Sequence, residues 1–576
     1  MSDFGSLLKK IFIYEEKVKD EGFILKDKAS SASSDIDTID EGSDDNNESG
    51  KNSKSSSSMQ RDEPDPQKKP VSIDIENNLI NIKKIFSYPD NSDFVIRKFV
   101  INLNSKNTKT FVVFFDGLVD RDVVDRDILQ PMMVMSQLKD VQCKGSPVNC
   151  ILRHLLPQNQ TKLYDNFEET VDDILTGSCA IFVNGSSQVI ISDVKGWEHR
   201  NVERPNTEMV IRGPQEGFTE IVRINTALIR KIVRDDKLIA ENIPVGKRSK
   251  TPCTIMYIKD IANKRLVDEV RRRLKSLNVD YVIDSGEIEQ LIEDNTFLPA
   301  PQVLATERPD RVASLIVEGR VAIVVNGSPF VLVVPVTLFE LLRSAEDTYI
   351  RFPYSNFVRF IRLFGTVLAL ILPALYIAIT TFHQEMIPTD LLLAIENSRE
   401  KVPFPSVIEI LIMELSFELI REAGVRIPTP IGPTLGIIGA LILGQAAVSA
   451  SIVSPILIII VALTGIGSFA IPSFSLSFAV RILRFIYILL AALAGFLGIT
   501  AGLFILLLWL ASSKSFGVRF LAPIAPLTSD DLTQVLSRAP IWKQEMRPDF
   551  LNTFKRKQQA YISRSWINRG KNKRVR

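Results

Sequence analysis

Near residue 350 the spacing of hydrophobic positions along this chain changes. Before it, apolar residues occur as short β-branched runs and amphipathic stretches separated by polar turns. After it, four runs are nearly unbroken: Leu363–Thr381, Ile431–Ala450, Ile452–Pro472 and Ile482–Ala511. A helix needs about 20 mainly apolar residues to cross a hydrocarbon core about 30 Å thick. Each run meets that length. The last, fully helical, would be about 45 Å long, so it must tilt, kink near Gly495–Gly498, or protrude. The pattern predicts a duplicated cytosolic α/β domain followed by an all-α multi-pass membrane domain.

The duplication is read from two pairs of matching segments. FVVFFDGLVDRDVVDRDIL from Phe111 and TIMYIKDIANKRLVDEVRRRL from Thr254 are each an apolar strand, a turn with Asp and an amphipathic helix. Further along each copy, GSCAIFVNGS from Gly177 matches GRVAIVVNGS from Gly319, and the two pairs are separated by 143 and 142 residues. Asn-Gly between β-branched runs predicts tight hairpins at Asn184-Gly185 and Asn326-Gly327, because both turn residues must tolerate positive φ. The expected division is a low-complexity tether over 1–70, α/β units over 71–205 and 251–345, and a linker over 206–250. The membrane domain follows over 355–512 and a basic tail over 513–576. The tether is rich in Ser, Asp, Asn, Lys and Pro, and buries too little apolar surface to offset the entropy of ordering. The linker carries a turn at Arg212, Gly213 and Pro214 that opens a helix over Thr219–Asp235. It is a candidate for relaying motion between the two halves.

Between the first two runs lies VPFPSVIEILIMELSFELIREAGVRIP (402–428), apolar yet carrying Glu409, Glu414, Glu418, Arg421 and Glu422. Carboxylates at hydrocarbon depth are costly and normally face a wet cavity or a partner. Three placements stay open: an interfacial amphipathic helix with an internal Glu418–Arg421 pair, a broken or tilted helix lining a water-filled path, or a lipid-facing span. In the second, Glu409, Glu414 and Glu418 would draw cations. The run 431–450 differs. Gly432, Gly436 and Gly439 fall on one side, where another backbone can approach closely. Leu435, Ile438, Ile442, Gln445 and Ser449 form the opposite stripe, which in a ring of identical subunits would be an apolar constriction with a polar mouth.

Charge adds topology. The net charge is only +2, but from Ser512 onward there are 14 Lys and Arg against 4 Asp and Glu. Arg343, Arg351, Arg359 and Arg362 crowd the entry to the first run, so both flanks are expected in the cytoplasm. Cys143, Cys150, Cys179 and Cys253 all fall in the front half, where a reducing compartment favours free, buried thiols. Cys143-x6-Cys150-x3-His154 lacks a fourth ligand at a usual zinc spacing. Gly246-Lys247-Arg248-Ser249 has Glu241 where a phosphate loop needs Gly. Only His154, His199 and His383 are present, far apart. No catalytic residue, cofactor or metal is expected, and no nucleic-acid partner.

Four segments together carry a family resemblance: IRGPQEGFTEIVRINTALIRK, ATERPDRVASLIVEGRVAIVVNGSPFVLVVP, VPFPSVIEILIMELSFELIREAGVRIP and SFGVRFLAPIAPL. In this order they resemble the A-subunit family of GerA-type spore germination receptors over roughly 92–550. Arg519-Phe520 stands where the family commonly has Pro-Tyr after SFGV. The resemblance implies a multi-pass protein of the inner spore membrane. It would act with a transporter-like B-type subunit and a C-type lipoprotein subunit to sense nutrients, and oligomerise to provide an ion-conducting path. A secondary transporter, or a scaffold that conducts nothing, are the rival readings. Internal repeats occur in the soluble half and not in the membrane half, which weighs against the transporter.

Overall fold

In a computed structural model the described residues are 70–103, 106–135, 146–157, 160–196, 204–205, 207–426, 444–527 and 537–559. Except for Pro70, the expected tether lies outside them. Unit 1 opens with helix α1 (Ile75–Ile85) and strands β1 (Phe94–Leu103) and β2 (Lys106–Phe115). It continues through helical turns over 121–135, α2 (Pro147–His154), β3 (Thr161–Tyr164), α3 (Phe167–Leu175), β4 (Ser178–Val183) and β5 (Val189–Asp193). Unit 2 repeats the plan with α4 (Val222–Ile232), β6 (Leu238–Val245), β7 (Thr251–Ile258), α5 (Lys264–Ser276) and α6 (Ser285–Ile292). It ends with β8 (Leu304–Thr306), α7 (Pro309–Glu318), β9 (Val321–Val325) and β10 (Val331–Val334). The strand orders, β1-β2-β4-β5-β3 and β6-β7-β9-β10-β8, are the same, and every pairing is antiparallel.

This corrects the expected linker over 206–250. Its second half, α4 and β6, is the opening helix and edge strand of unit 2, with β6 paired to β7 from Leu238↔Ile258 to Val245↔Thr251. The matching segments that revealed the repeat are central strands, β2, β4, β7 and β9. Strand β6 is an edge strand whose mixed residues LIAENIPV hide its kinship.

Each sheet is covered by helices on both faces, which is why β4 and β9 are buried along their whole length. Alternation along β2 sends Phe111, Val113 and Phe115 to α1 and α3, and Val112 and Phe114 to the 121–135 segment and α2. In unit 2 one face packs on α5 and α6. The other packs on α4 and α7, and its apolar cluster continues without a break into the helical half through Ala369, Ile471, Leu476, Val480 and Leu510. The two units dock through Arg230. It donates to Asn91 Oδ1 (2.8 Å), Asp93 Oδ1 (2.8 Å) and the Leu238 carbonyl (3.1 Å), with its guanidinium 4.2 Å from the centre of the Phe115 ring.

The helical half comprises α8 (Phe352–Phe382), α9 (Thr389–Arg399), α10 (Ser406–Arg426), α11 (Pro455–Phe469) and α12 (Phe474–Ser512), with a helical turn at 444–449. By length and composition α8 and α12 are the two helices among the described residues apolar enough to cross a membrane. Helix α12, however, is not straight. Ala494 (φ −141°, ψ 16°) and Gly495 (φ 56°, ψ −134°) leave the helical region. A Cβ on Gly502 would lie 2.7 Å from Leu490 Cδ1 and 3.0 Å from the Tyr487 ring. In one straight helix Tyr487 and Gly502 would be about 22 Å apart. The chain therefore reverses, giving antiparallel arms α12a (474–493) and α12b (496–512). The turn packs on Phe382 and His383 at the far end of α8, while Leu476 and Leu510, near the two outer ends, both return to unit 2. The single run expected over 482–511 is thus two shorter helices. Of the three outcomes left open for this run, a break near Gly495–Gly498 is the one found, and it is a full reversal instead of a bend within one span.

The basic tail is also not free. Lys514–Ser515 and Val518–Arg519 form a two-residue hairpin across Phe516 (φ 46°) and Gly517 (φ 81°), the mirror-image turn that strand twist favours. Phe516 and Phe520 are fully buried in unit 2, whereas Arg519 is exposed. Further on, Phe554 N donates to the Ile261 carbonyl (3.1 Å) and Arg547 Nε to the Val317 carbonyl (2.8 Å). The described residues 513–527 and 537–559 thus bind α12b back onto unit 2.

Candidate functional site

The two hairpin turns have an internal role. Gly185 (φ 85°) and Gly327 (φ 93°) take positive φ, but Asn184 and Asn326 do not, and the connections run over 184–188 and 326–330, so these are longer turns than the two-residue Asn-Gly hairpins expected. Asn184 Oδ1 accepts from Ile75 N (3.4 Å) and Asn326 Oδ1 from Val222 N (3.3 Å), so each turn caps the opening helix of its own unit. Asn78 and Asn225 form a second matched pair. Asn78 bonds both backbone groups of Ser72 (2.8 and 2.6 Å), and Asn225 bonds those of Thr219 at the same distances. Gly246 lies in the β6–β7 hairpin, and the Lys247 and Arg248 amides are already taken by the Val279 and Asp280 carbonyls.

The turn Arg212-Gly213-Pro214 sits where unit 2 meets α8. Arg212 N donates to Glu346 Oε1 (3.3 Å), and the Pro214 carbonyl accepts from Arg308 Nη2 (2.8 Å). Gly213 (φ 134°) lies so close to Tyr349 that a Cβ would fall 2.6 Å from its ring. Tyr349 and Arg308 both donate to Asp310 Oδ2. Burial, then the Asp310 carboxylate, push the Tyr349 hydroxyl well above the ordinary tyrosine range, so it stays a proton donor.

From this turn the network crosses into the helical half. Asp347, fully buried, accepts from the Ser344 amide, from Arg362 twice (both 2.7 Å) and from Arg359 Nε (3.2 Å), the two arginines lying about three and about two turns into α8. Arg538, from the tail, donates to the carbonyls of Asp347 (2.6 Å), Thr348 (3.0 Å) and Ile350 (3.1 Å). Glu340 accepts from Arg320 (3.2 Å) and Arg343 (3.1 Å). Burial alone would raise its pKa. The guanidinia of Arg320, Arg343 and Arg311 outweigh that and hold it at about 2. The joint is therefore a dense, charge-paired contact of unit 2, α8 and the tail.

Deeper in the helical half, the carboxylates meet arginines. Arg484 Nη1 is 2.8 Å from Glu414 Oε2, and both side chains are buried. Glu418 accepts from Arg481 (3.0 Å), Arg484 (3.2 Å) and Arg421 (3.3 Å). Glu409, at 0% exposure, accepts from Ser454 N (3.1 Å) and lies 3.5 Å from Arg399 Nε. Within one chain the acidic residues thus face fixed guanidinia, and Glu409 and Glu414 present no charge to solvent. Only in the second of the three placements left open, the helix lining a water-filled path, would they draw cations. Arg481 and Arg484, on α12a, are the partners that allow these acids to be buried.

Helix α10 is one unbroken helix. Glu409 meets the start of α11 and Arg421 donates to Ser468 near its end (3.2 Å), so α10 and α11 lie side by side and parallel. Of the expected stripe, Leu435, Ile438 and Ile442 lie outside the described residues, as do Gly432, Gly436 and Gly439. Gln445 and Ser449 are described. Both are exposed, while Gly444 and Ala447 on the other side of that turn are buried, with Ala447 against the cluster around Ile410 and Val453.

Sequence reasoning missed Asp347, Arg538 and the Arg230–Asp93 dock. The signal for Asp347 was present: it is an acid among Arg343, Arg351, Arg359 and Arg362, which were taken only as flanking charge. Cys179 and Cys253 are free and buried, as expected, but Cys150 is disulfide-bonded, contrary to the compartment argument, with its partner outside the described residues. The compartment argument carried no geometry. Among the described residues no group of three or more His, Cys, Asp or Glu is placed to hold a metal ion.

Residues 80–550 match the family described as Bacillus/Clostridium GerA spore germination protein. The chain is similar to spore germination protein KA of Bacillus subtilis (strain 168), at 38% identity over 83% of this chain and 87% of that one. It is similar to spore germination protein GerLA of Bacillus cereus, at 38% identity over 84% and 97%. A solved structure, the N-terminal domain of the A subunit of the Bacillus megaterium spore germinant receptor GerK3, aligns at 31% identity with a TM-score of 0.36. It covers 46% of this chain and 96% of that domain.

Proposed function

The chain belongs to the GerA family of spore germination proteins, and from that premise we propose that it is the A subunit of a nutrient-sensing germination receptor. Copies of it assemble around a gated ion path in the spore inner membrane, beside a B-type transporter-like subunit and a C-type lipoprotein subunit. The observation that carries this reading is the exposure of Gln445 and Ser449 in the apolar half. Polar side chains facing hydrocarbon are unfavourable, so water or another protomer must cover them. Placed one turn apart on the stripe with Leu435, Ile438 and Ile442, they form the polar mouth of a constriction that closes by dewetting. Gly432, Gly436 and Gly439 let neighbouring backbones approach on the other side.

The carboxylates then work through their pairs. Glu414 and Glu418 tie α10 to α12a, and Glu418, whose side chain keeps 25% exposure, is the one left to influence passing cations. The turn Arg212-Gly213-Pro214 and the joint at Asp347 carry motion between the soluble units and α8. Nutrient held on a partner opens the path only if it binds the open arrangement more tightly than the closed one.

The test is Ile442→Ala in vesicles carrying the assembled receptor. Removing a constricting side chain should give ion leak without nutrient. A tight vesicle with intact assembly contradicts the constriction.

A further inference from the structure

A cavity of about 570 Å³ opens at the joint, between α7, the 344–349 segment, the first turns of α8 and the tail. That volume is within the range of small-molecule sites. Its wall carries four guanidinia, from Arg311, Arg343, Arg359 and Arg538, against the carboxylates of Asp310, Glu318 and Glu340. Those carboxylates are not idle. Asp310 is held by Arg308 and Tyr349, and Glu340 by Arg320 and Arg343.

Arg359 is the member with unused capacity. Its Nε shares Asp347 with Arg362, whose two 2.7 Å bonds already engage both carboxylate oxygens. Among the described residues its two terminal nitrogens have no hydrogen-bond partner, although its side chain is only 12% exposed. One carboxylate thus serves two guanidinia, and a nearly buried planar fork of N–H donors borders this cavity next to Arg343. Guanidinium forks match phosphate oxygens in geometry and charge.

We propose that this cavity is a binding site for a phosphate-type oxyanion, held by Arg359 and Arg343 at the point where unit 2, α8 and the tail converge. The oxyanion supplies the negative charge that Asp347 does not, and so tightens the joint. It comes either from solution or from the headgroup of an anionic lipid, since the cavity lies at the entry to α8. The site is independent of whether the path conducts.

The test uses the full chain in nanodiscs and follows its thermal unfolding midpoint. In phosphatidylcholine discs, inorganic phosphate should raise the midpoint. The half-maximal concentration should rise at least tenfold in Arg359→Gln and Arg343→Gln, whereas Ser314→Ala on the same wall behaves as wild type. If a headgroup is the occupant, phosphatidylglycerol discs raise the midpoint without phosphate, added phosphate does nothing more, and Arg359→Gln erases the gain. Asp347 retains Arg362 in the Arg359 variant, and Arg343→Gln provides a second reading should that variant be poorly folded. No midpoint change in either kind of disc, or equal changes in wild type and both arginine variants, overturns the proposal.

Discussion

Asp347 and Arg362 face each other through two hydrogen bonds of 2.7 Å, the carboxylate 1% exposed and the guanidinium 12%. This is a bidentate pair, the geometry that gives an arginine–carboxylate contact both strength and direction. One partner belongs to the segment that receives the Arg212-Gly213-Pro214 turn, and the other to the third turn of α8. In the proposed mechanism this pair is where a displacement of unit 2 loads the first apolar helix.

Asp347→Asn keeps the shape and removes the charge, leaving Arg359 and Arg362 buried without compensation. Breaking a buried pair from one side costs about 3–5 kcal/mol. The unfolding midpoint of the purified chain should fall accordingly. A midpoint equal to wild type would mean that the joint contributes nothing.

Arg484 and Glu414 should behave as a coupled pair in the apolar half. Arg484→Met leaves Glu414 without its 2.8 Å partner, and the loss of stability should be large. Adding Glu414→Gln should recover much of it. A double-mutant cycle should give a coupling above about 1 kcal/mol, and simple additivity would argue against the pair.

The reversal in α12 can be tested by distance. Tyr487→Cys with Gly502→Cys should be joined by a short bifunctional thiol crosslinker, because the Tyr487 ring meets position 502 across the arms. A straight helix would hold them about 22 Å apart, beyond the reach of such a crosslinker. Mass spectrometry of the digested chain separates the two cases.

Two groups of carboxylates give opposite pH dependence. Glu340, with its pKa held at about 2, contributes stability above the unfolded value near 4.3. That contribution, on the order of 3 kcal/mol, is lost as pH falls from there through 2. Glu289 runs the other way. Burial, then Asp284, push it up to about 7, so it costs nothing at pH 4 and carries its full penalty above pH 7. Glu289→Gln should raise the unfolding midpoint at pH 8 and leave it unchanged at pH 4, whereas Glu340→Gln should flatten the acid limb. A shift at pH 4 equal to that at pH 8 would contradict the assignment for Glu289.

Much of this architecture was legible in the residues. Central strands such as FVVFF and AIVV are buried on both faces and keep their apolar character, so the repeat could be read from them. The edge strand β6 and helix α4 face more varied surroundings, and their kinship with β1 and α1 emerges only in the pairing. The α12 reversal depends on one glycine at φ 56° inside a run that hydropathy treats as uniform. The joint was hidden for another reason. Asp347, Arg362, Arg538 and Pro214 come from segments as far apart as the linker and the tail, and only the fold brings them together. Arg481 and Arg484 meet an acid 63 and 66 residues earlier, a separation no local pattern spans.

The most direct measurement of the central claim is ion flux across vesicles carrying the assembled receptor, before and after nutrient. The account predicts closed vesicles at rest, flux on adding nutrient, and loss of that response when the chain is left out of the assembly. Nutrient-triggered flux that persists without this chain, or none from a complete and folded assembly, would contradict it.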